Sequence, residues 1–285
     1  RIPRLLLRGE SATYHVVSRC ALPGFPLGDV EKDHLLHLVR HLSRVYFAEV
    51  LGFCLMGNHV HLVVRMHTGE EVSDEEMARR YRLYRGHEDD PKLLSGQIPT
   101  FREKWSSLSE YVKEIKQSFS RWFNRRSGRT GYFWGERFKS VLVEDGDTLI
   151  NCLAYVDLNP VRAGLAERPE DYRWSSLGYH LQTGNEGGLL SLDLALRPFA
   201  NLADDERLRF YRKFVYEVGS VPSPKGAAIP EATYRAEERR GFEIGAATRL
   251  RGRIRHFTES GVIGTKQFVA ACYERFESHF ACKHP

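Results

Sequence analysis

The five cysteines, Cys20, Cys54, Cys152, Cys272 and Cys282, contain no CxxC pair and follow no regular spacing. An odd, scattered set argues against a disulfide scaffold and against a zinc ribbon, and it fits a reducing cytoplasm. No apolar run reaches the ~18 residues that a membrane-spanning helix needs, so no membrane partner is expected. Leu5-Leu6-Leu7 is too short for the apolar core of a secretion signal. Gly261-Val262-Ile263-Gly264-Thr265-Lys266 lacks the Walker spacing, so no phosphate-cradling loop for ATP is evident. Internal repeats and low-complexity blocks are also missing. Neither sign of charge dominates: 42 Lys and Arg face 37 Asp and Glu, a net charge of +5. That balance permits a nucleic-acid partner without requiring one.

What is present is 285 residues, 42% of them hydrophobic, enough for one substantial domain with an appendage or for two small domains. Thr13-Tyr14-His15-Val16-Val17-Ser18 is rich in β-branched and aromatic residues and reads as a strand. Residues 20–29, with two prolines and two glycines, read as a loop. In 30–46, Leu35, Leu36, Leu38, Val39 and Leu42 suit an amphipathic helix. Two strands are expected at 50–56 and 59–66, reversed at Gly57-Asn58, since both residue types tolerate positive φ. Residues 70–96 are polar and expected to be helical. Leu108, Val112, Ile115, Phe119 and Phe123 recur at helical spacing across 109–124.

Arg125-Arg126-Ser127-Gly128-Arg129-Thr130-Gly131 then reads as a basic loop, 138–143 as a short strand, and 147–158 as a helix that must stop before Pro160. This order predicts an α+β domain with helices on one face of a mainly antiparallel sheet. Beyond about residue 180 the texture changes. A linker candidate at 184–188 is followed by helices at 204–218 and 266–280, a proline-bearing loop at 220–230, and a tail carrying Arg235, Arg239, Arg240, Arg249, Arg251, Arg253 and Arg255. We expect a first domain over 1–182 and a mostly helical, partly basic extension over 183–285.

Two elements carry chemistry. His59-Val60-His61 opens the second strand of the hairpin, and on a strand residues i and i+2 share a face. Such a pair is either half of a metal site or two inert, half-buried imidazoles. Tyr155 and Asn159 are i and i+4, which on a helix brings a phenol and an amide oxygen to one face. Asn159 is equally suited to capping the helix end before Pro160.

Five stretches, in this order along residues 1–180, resemble the HUH-type single-tyrosine transposases, specifically the REP-associated branch of the IS200-like domain. They are Tyr14-His15-Val16-Val17-Ser18-Arg19, Leu55-Met56-Gly57-Asn58-His59-Val60-His61-Leu62, Gly131-Tyr132-Phe133-Trp134-Gly135-Glu136-Arg137-Phe138-Lys139-Ser140, Tyr155-Val156-Asp157-Leu158-Asn159-Pro160-Val161-Arg162-Ala163-Gly164 and Trp174-Ser175-Ser176. The resemblance implies a ferredoxin-like HUH sheet, with His59 and His61 as metal ligands, Tyr155 as nucleophile and Asn159 completing the metal site. Tyr111, in the earlier helix, has no polar residue four positions on.

A phenol with a pKa near 10 is a weak nucleophile at pH 7 and needs help. A divalent cation that offsets the charge of a scissile phosphate supplies it. Two imidazoles and an amide suit Mn²⁺ at least as well as Mg²⁺, so either ion is expected. The implied reaction nicks and rejoins single-stranded DNA through a 5′-phosphotyrosine, at hairpin ends as in the REP-associated branch. The resemblance also leaves room for a hairpin binder that no longer cuts and for a replication or mobilisation nickase.

For DNA contacts, Arg121, Arg125, Arg126, Arg129, Arg137 and Lys139 alternate with aromatic residues, a pattern that suits phosphate tracking and base stacking. Phe133 and Trp134 suit a base platform or the core equally. Arg162 follows the tyrosine helix, while Arg4 and Arg8 sit where they can meet a guide strand or hairpin base. The expected partner is single-stranded or hairpin DNA in the bacterial cytoplasm, bound by a monomer or a homodimer.

Overall fold

In a computed structural model, the description covers residues 5–7, 9–86, 91–185, 187–191, 203–224, 226–240, 262–263 and 266–275. Strand β1 (Ala12–Arg19) leads through a loop into α1 (Asp29–Ser43). The hairpin β2 (Ala48–Leu55) and β3 (His59–Met66) follows. Next come α2 (Asp74–Arg85), a 3₁₀ turn (Ser95–Gln97), α3 (Ile98–Ser106) and α4 (Leu108–Ser127). Strand β4 (Lys139–Val143), α5 (Asp147–Asp157), the short α6 (Asn159–Arg162) and α7 (Ser176–Thr183) complete the motif-bearing region. Beyond it lie α8 (Asp204–Gly219), α9 (Glu231–Glu238), β5 (Val262–Ile263) and α10 (Lys266–Arg275).

The sheet order is β2-β3-β1-β4-β5. The first four strands pair antiparallel, and β5 adds parallel to β4. The expected α+β class is therefore what the chain adopts, with one difference: the helices divide between both faces. Val16, Phe53, Leu55, Val60 and Leu62 meet Leu35 and Val39 of α1 and Val112 and Ile115 of α4 around a shared apolar crevice. The other face carries α5, where a Cβ added to Gly52 would lie 2.5 Å from Leu153 Cδ2. The uninterrupted buried run from His61 to Val64 on β3 follows from cover on both faces.

Local chemistry accounts for the helices that position the site. Ser107 caps α4 by accepting from the Glu110 N–H, and Gly128 ends it with φ +59. Leu108, Tyr111, Val112, Ile115, Phe119 and Phe123 form its buried stripe. Helix α5 is buried nearly all round, as expected of a helix covered on two sides. Sheet residues cover one side; on the other, the α8 residue Tyr211 donates from its hydroxyl to Asp157 Oδ2 at 2.6 Å. From Thr148 to Asp157, Tyr155 alone is not buried.

The Trp174-Ser175-Ser176 motif is structural. Trp174 accepts from the Leu55 N–H through its carbonyl, Ser175 caps α7, and Ser176 Oγ accepts from the Phe53 N–H at 2.7 Å. Among the described residues no helix is long and apolar enough to cross a membrane. Cys20, Cys54, Cys152 and Cys272 are buried and free.

Candidate active site

Three imidazoles and one phenol meet on the α5 face of the sheet. His59 and His61 alternate on β3, with ring centroids 5.1 Å apart. Across the β1–β3 ladder Arg19 pairs with His59 and Val17 with His61, so Arg19, Val17 and His15 stand on the same face as the two histidines. His15 Nε2 lies 2.9 Å from His61 Nδ1, with the rings stacked at 5.2 Å and 17°. The Tyr155 ring meets His61 edge-on at 5.9 Å and His15 at 6.0 Å. Lys139, the residue of β4 opposite Val17, falls on the same face in the row of His61 and is exposed.

Gly57 does not use positive φ, contrary to the reason expected for the reversal. It is small because Phe25 lies over it: a Cβ there would come within 2.7 Å of the Phe25 ring. The 20–28 loop is sewn to the hairpin by Cys20 N–H to Asn58 O and Leu27 N–H to Gly57 O, both 2.9 Å. Asn58 Oδ1 in turn lies 2.8 Å from His59 Nδ1. Both ligand candidates thus have Nδ1 engaged, and Nε2 is the ring nitrogen of each that could meet a cation.

Burial sets the charge of the pair. It pulls the His59 pKa down to about 4, with Arg19 adding to the effect. Burial also holds His61 well below the ordinary histidine value, reinforced by His15 and His59. Neutral imidazoles with anchored Nδ1 atoms are the form that ligates a cation. Cys54 is opposite His61 on β2, and burial pushes its thiol well up from the ordinary value. Among the described residues no group of three His, Cys, Asp or Glu is placed to hold a metal, so a cation here needs a donor of another type.

Asn159 is the candidate for that donor. Helix α5 ends at Asp157, and Asn159 begins the separate turn α6 with Pro160 in its first turn. Its side chain folds back, donating from Nδ2 to the carbonyls of Tyr155 at 2.9 Å and Val156 at 3.3 Å. The amide nitrogen is thereby occupied, and Oδ1 is the end suited to a cation. The structure brings His59, His61 and Tyr155 into ring contact, and it ties Asn159 to the Tyr155 backbone. The Arg162 guanidinium lies 5.8 Å from the Tyr155 ring centroid, and burial lowers its pKa.

The other basic candidates lie elsewhere. Arg121, Arg125 and Arg126 are on α4, on the opposite layer from Tyr155, and Arg129 and Arg137 flank the loop that follows. Arg126 lies over Trp122, which stacks on His34 at 3.9 Å. Phe133 and Trp134 are core residues packed on Phe119, and Trp134 Nε1 donates to the Lys116 carbonyl, whereas Tyr132 of the same stretch is 91% exposed. Tyr111 is fully buried. Arg4, Arg8, and Arg249 to Arg255 fall outside the described residues. Sequence reasoning missed His15 and Arg19 as site residues. The available signal was the alternation 15-17-19 in a stretch already singled out.

No protein-family model matches the chain. A protein of Haemophilus influenzae described as a "Putative REP-associated tyrosine transposase" is 27% identical over 131 residues, 46% of this chain and 60% of that protein. The match thus spans less than two thirds of the curated relative's length. A solved structure titled "Structure of the REP associates tyrosine transposase bound to a REP hairpin" covers 68% of this chain and 92% of its own, at 15% identity and a TM-score of 0.44. The resemblance read from the motifs is borne out by the curated relative: the chain resembles the REP-associated branch of the single-tyrosine transposases.

Proposed function

We propose that this chain is a metal-dependent nickase and strand transferase for single-stranded DNA at hairpin ends, with Tyr155 as its nucleophile. The observation that carries this reading is the edge contact of Tyr155 with His61, beside His59, where Tyr155 is the one residue from Thr148 to Asp157 that is not buried. The name of the curated relative agrees with it.

The Tyr155 hydroxyl oxygen attacks the scissile phosphorus and releases its proton to solvent. The bond from phosphorus to the 3′ oxygen breaks, leaving a 5′-phosphotyrosine and a free 3′-OH. Attack by a 3′-OH on that linkage reverses the step and frees Tyr155, so one phosphoester is exchanged for another and no nucleoside triphosphate is consumed. His59, His61 and Asn159 would hold Mg²⁺ or Mn²⁺. Such an ion, when bound, polarises the phosphate and offsets its developing charge. Arg162, over the Tyr155 ring, and Lys139 and Arg19, on the same face, would hold phosphate oxygens. Residues 1–182 contain the whole reacting set, and the extension supports it through the Tyr211–Asp157 bond behind α5. Protein of this sequence incubated with a single-stranded hairpin oligonucleotide and Mn²⁺ should form a covalent adduct, and Tyr155→Phe should form none. Adduct formation by Tyr155→Phe would remove Tyr155 as nucleophile.

A further inference from the structure

His15 is buried completely on the central strand of the sheet, yet its ring is spent on neither apolar packing alone nor solvent. Its Nε2 meets His61 Nδ1 at 2.9 Å, and its edge abuts Tyr155. When both rings are neutral, the contact between their nitrogens holds one proton, and the side that carries it decides what His61 can do. With the proton on His61 Nδ1, His61 donates to His15 and its own Nε2 lone pair is bare. With the proton on His15 Nε2, His61 accepts, carries its hydrogen on Nε2 and cannot ligate there.

We propose that His15 is a positioning residue that accepts a hydrogen bond from His61 Nδ1–H and so fixes the tautomer in which His61 presents a bare Nε2. This rests on the metal reading of the site given above, and it adds a residue that the ligand set does not contain. The register explains how the contact arises. His15 sits two pairs along the ladder from Val17, the direct partner of His61, so the two rings lie diagonally on one face and overlap. His59 is served differently, by its own neighbour Asn58. A histidine anchored across strands is held by the sheet, whereas one anchored by the preceding residue depends on the hairpin.

The test is ¹⁵N-histidine spectroscopy of the metal-free full chain at neutral pH, with Mn²⁺ titration of the same samples by electron paramagnetic resonance. The expected result is His61 protonated at Nδ1 and unprotonated at Nε2. His15→Ala should mix the tautomers and weaken Mn²⁺ binding about 10- to 100-fold. His15→Gln, whose side-chain oxygen accepts in place of the imidazole, should restore the tautomer and much of the affinity, and it carries the test if the alanine variant fails to fold. His61 protonated at Nε2 in the wild type would overturn the proposal, as would an unchanged tautomer and affinity in His15→Ala. A wild-type chain that binds no Mn²⁺ removes the metal reading, while the tautomer spectrum from that sample still decides the role of His15.

Discussion

His180 on α7 is 6% exposed, and no hydrogen-bond partner reaches its Nε2 among the described residues. Burial pulls its pKa down to about 4, against an ordinary 6.5. The folded chain therefore keeps this ring neutral, while the unfolded chain protonates it below pH 6.5. Between pH 6.5 and about 4 the unfolded state binds more protons, so stability falls as pH falls, by roughly 3 kcal/mol at most for this residue. His180→Gln should show a smaller drop in Tm across that window than the wild type, and an equal drop would remove the residue from the acid response. Asp157 has the opposite sign. Burial raises its carboxyl to about 6, so its contribution is lost as pH rises from near 4 towards 6. Strand alternation put His59 and His61 on one face, as the structure has them, whereas the roles of Tyr155 and Asn159 came from the family resemblance, and Asn159 begins a new turn instead of continuing the tyrosine helix. His15 was not legible in the sequence, because its role depends on a partner 46 residues away.

Helix α5 presents Tyr155 only because it lies close against the sheet. Gly52, beside a break in the β2–β3 register, makes that approach possible. A Cβ there would stand 2.5 Å from Leu153 Cδ2 and 3.1 Å from Ser176 Oγ, and both of those residues are buried. Gly52→Ala should cost about 1–3 kcal/mol as α5 is forced outward. Urea denaturation should reveal that loss, and adduct formation at saturating hairpin DNA should fall with it, since the displaced helix carries Tyr155. Stability unchanged within about 0.5 kcal/mol would mean that α5 does not rest on Gly52. At this scale the sequence anticipated most elements to within a few residues. It placed the α5 stop correctly before Pro160 but not the new turn that starts at Asn159. Proline costs nothing in the first turn of a helix, where its missing N–H has no partner to lose.

Across the whole molecule, the sheet separates two surfaces. One face carries the histidines, Tyr155, Arg162, Arg19 and Lys139, while α4 and its basic C-terminal end lie on the other. If the chain binds hairpin DNA as proposed, the α4 end holds phosphates distant from the cut. Replacing Arg125, Arg126 and Arg129 together with alanine should then reduce the slope of log affinity against log salt by roughly 2–3. It should leave adduct formation at saturating oligonucleotide intact. An unchanged slope would take the α4 end out of the DNA interface.

The sequence by itself determined the α+β class, the hairpin that carries His59 and His61, the tyrosine helix and the family resemblance. These are read from periods of two and of 3.6 residues and from turn chemistry, all of which act over a few neighbours. Only the tertiary structure decided which sheet face each helix covers, that Phe133 and Trp134 belong to the core, and that Gly57 is small to admit Phe25. It also joined His15 to His61. Strand register and helix placement are settled by burying apolar side chains over the whole sheet at once, and a one-residue slip would have turned His15 to the opposite face.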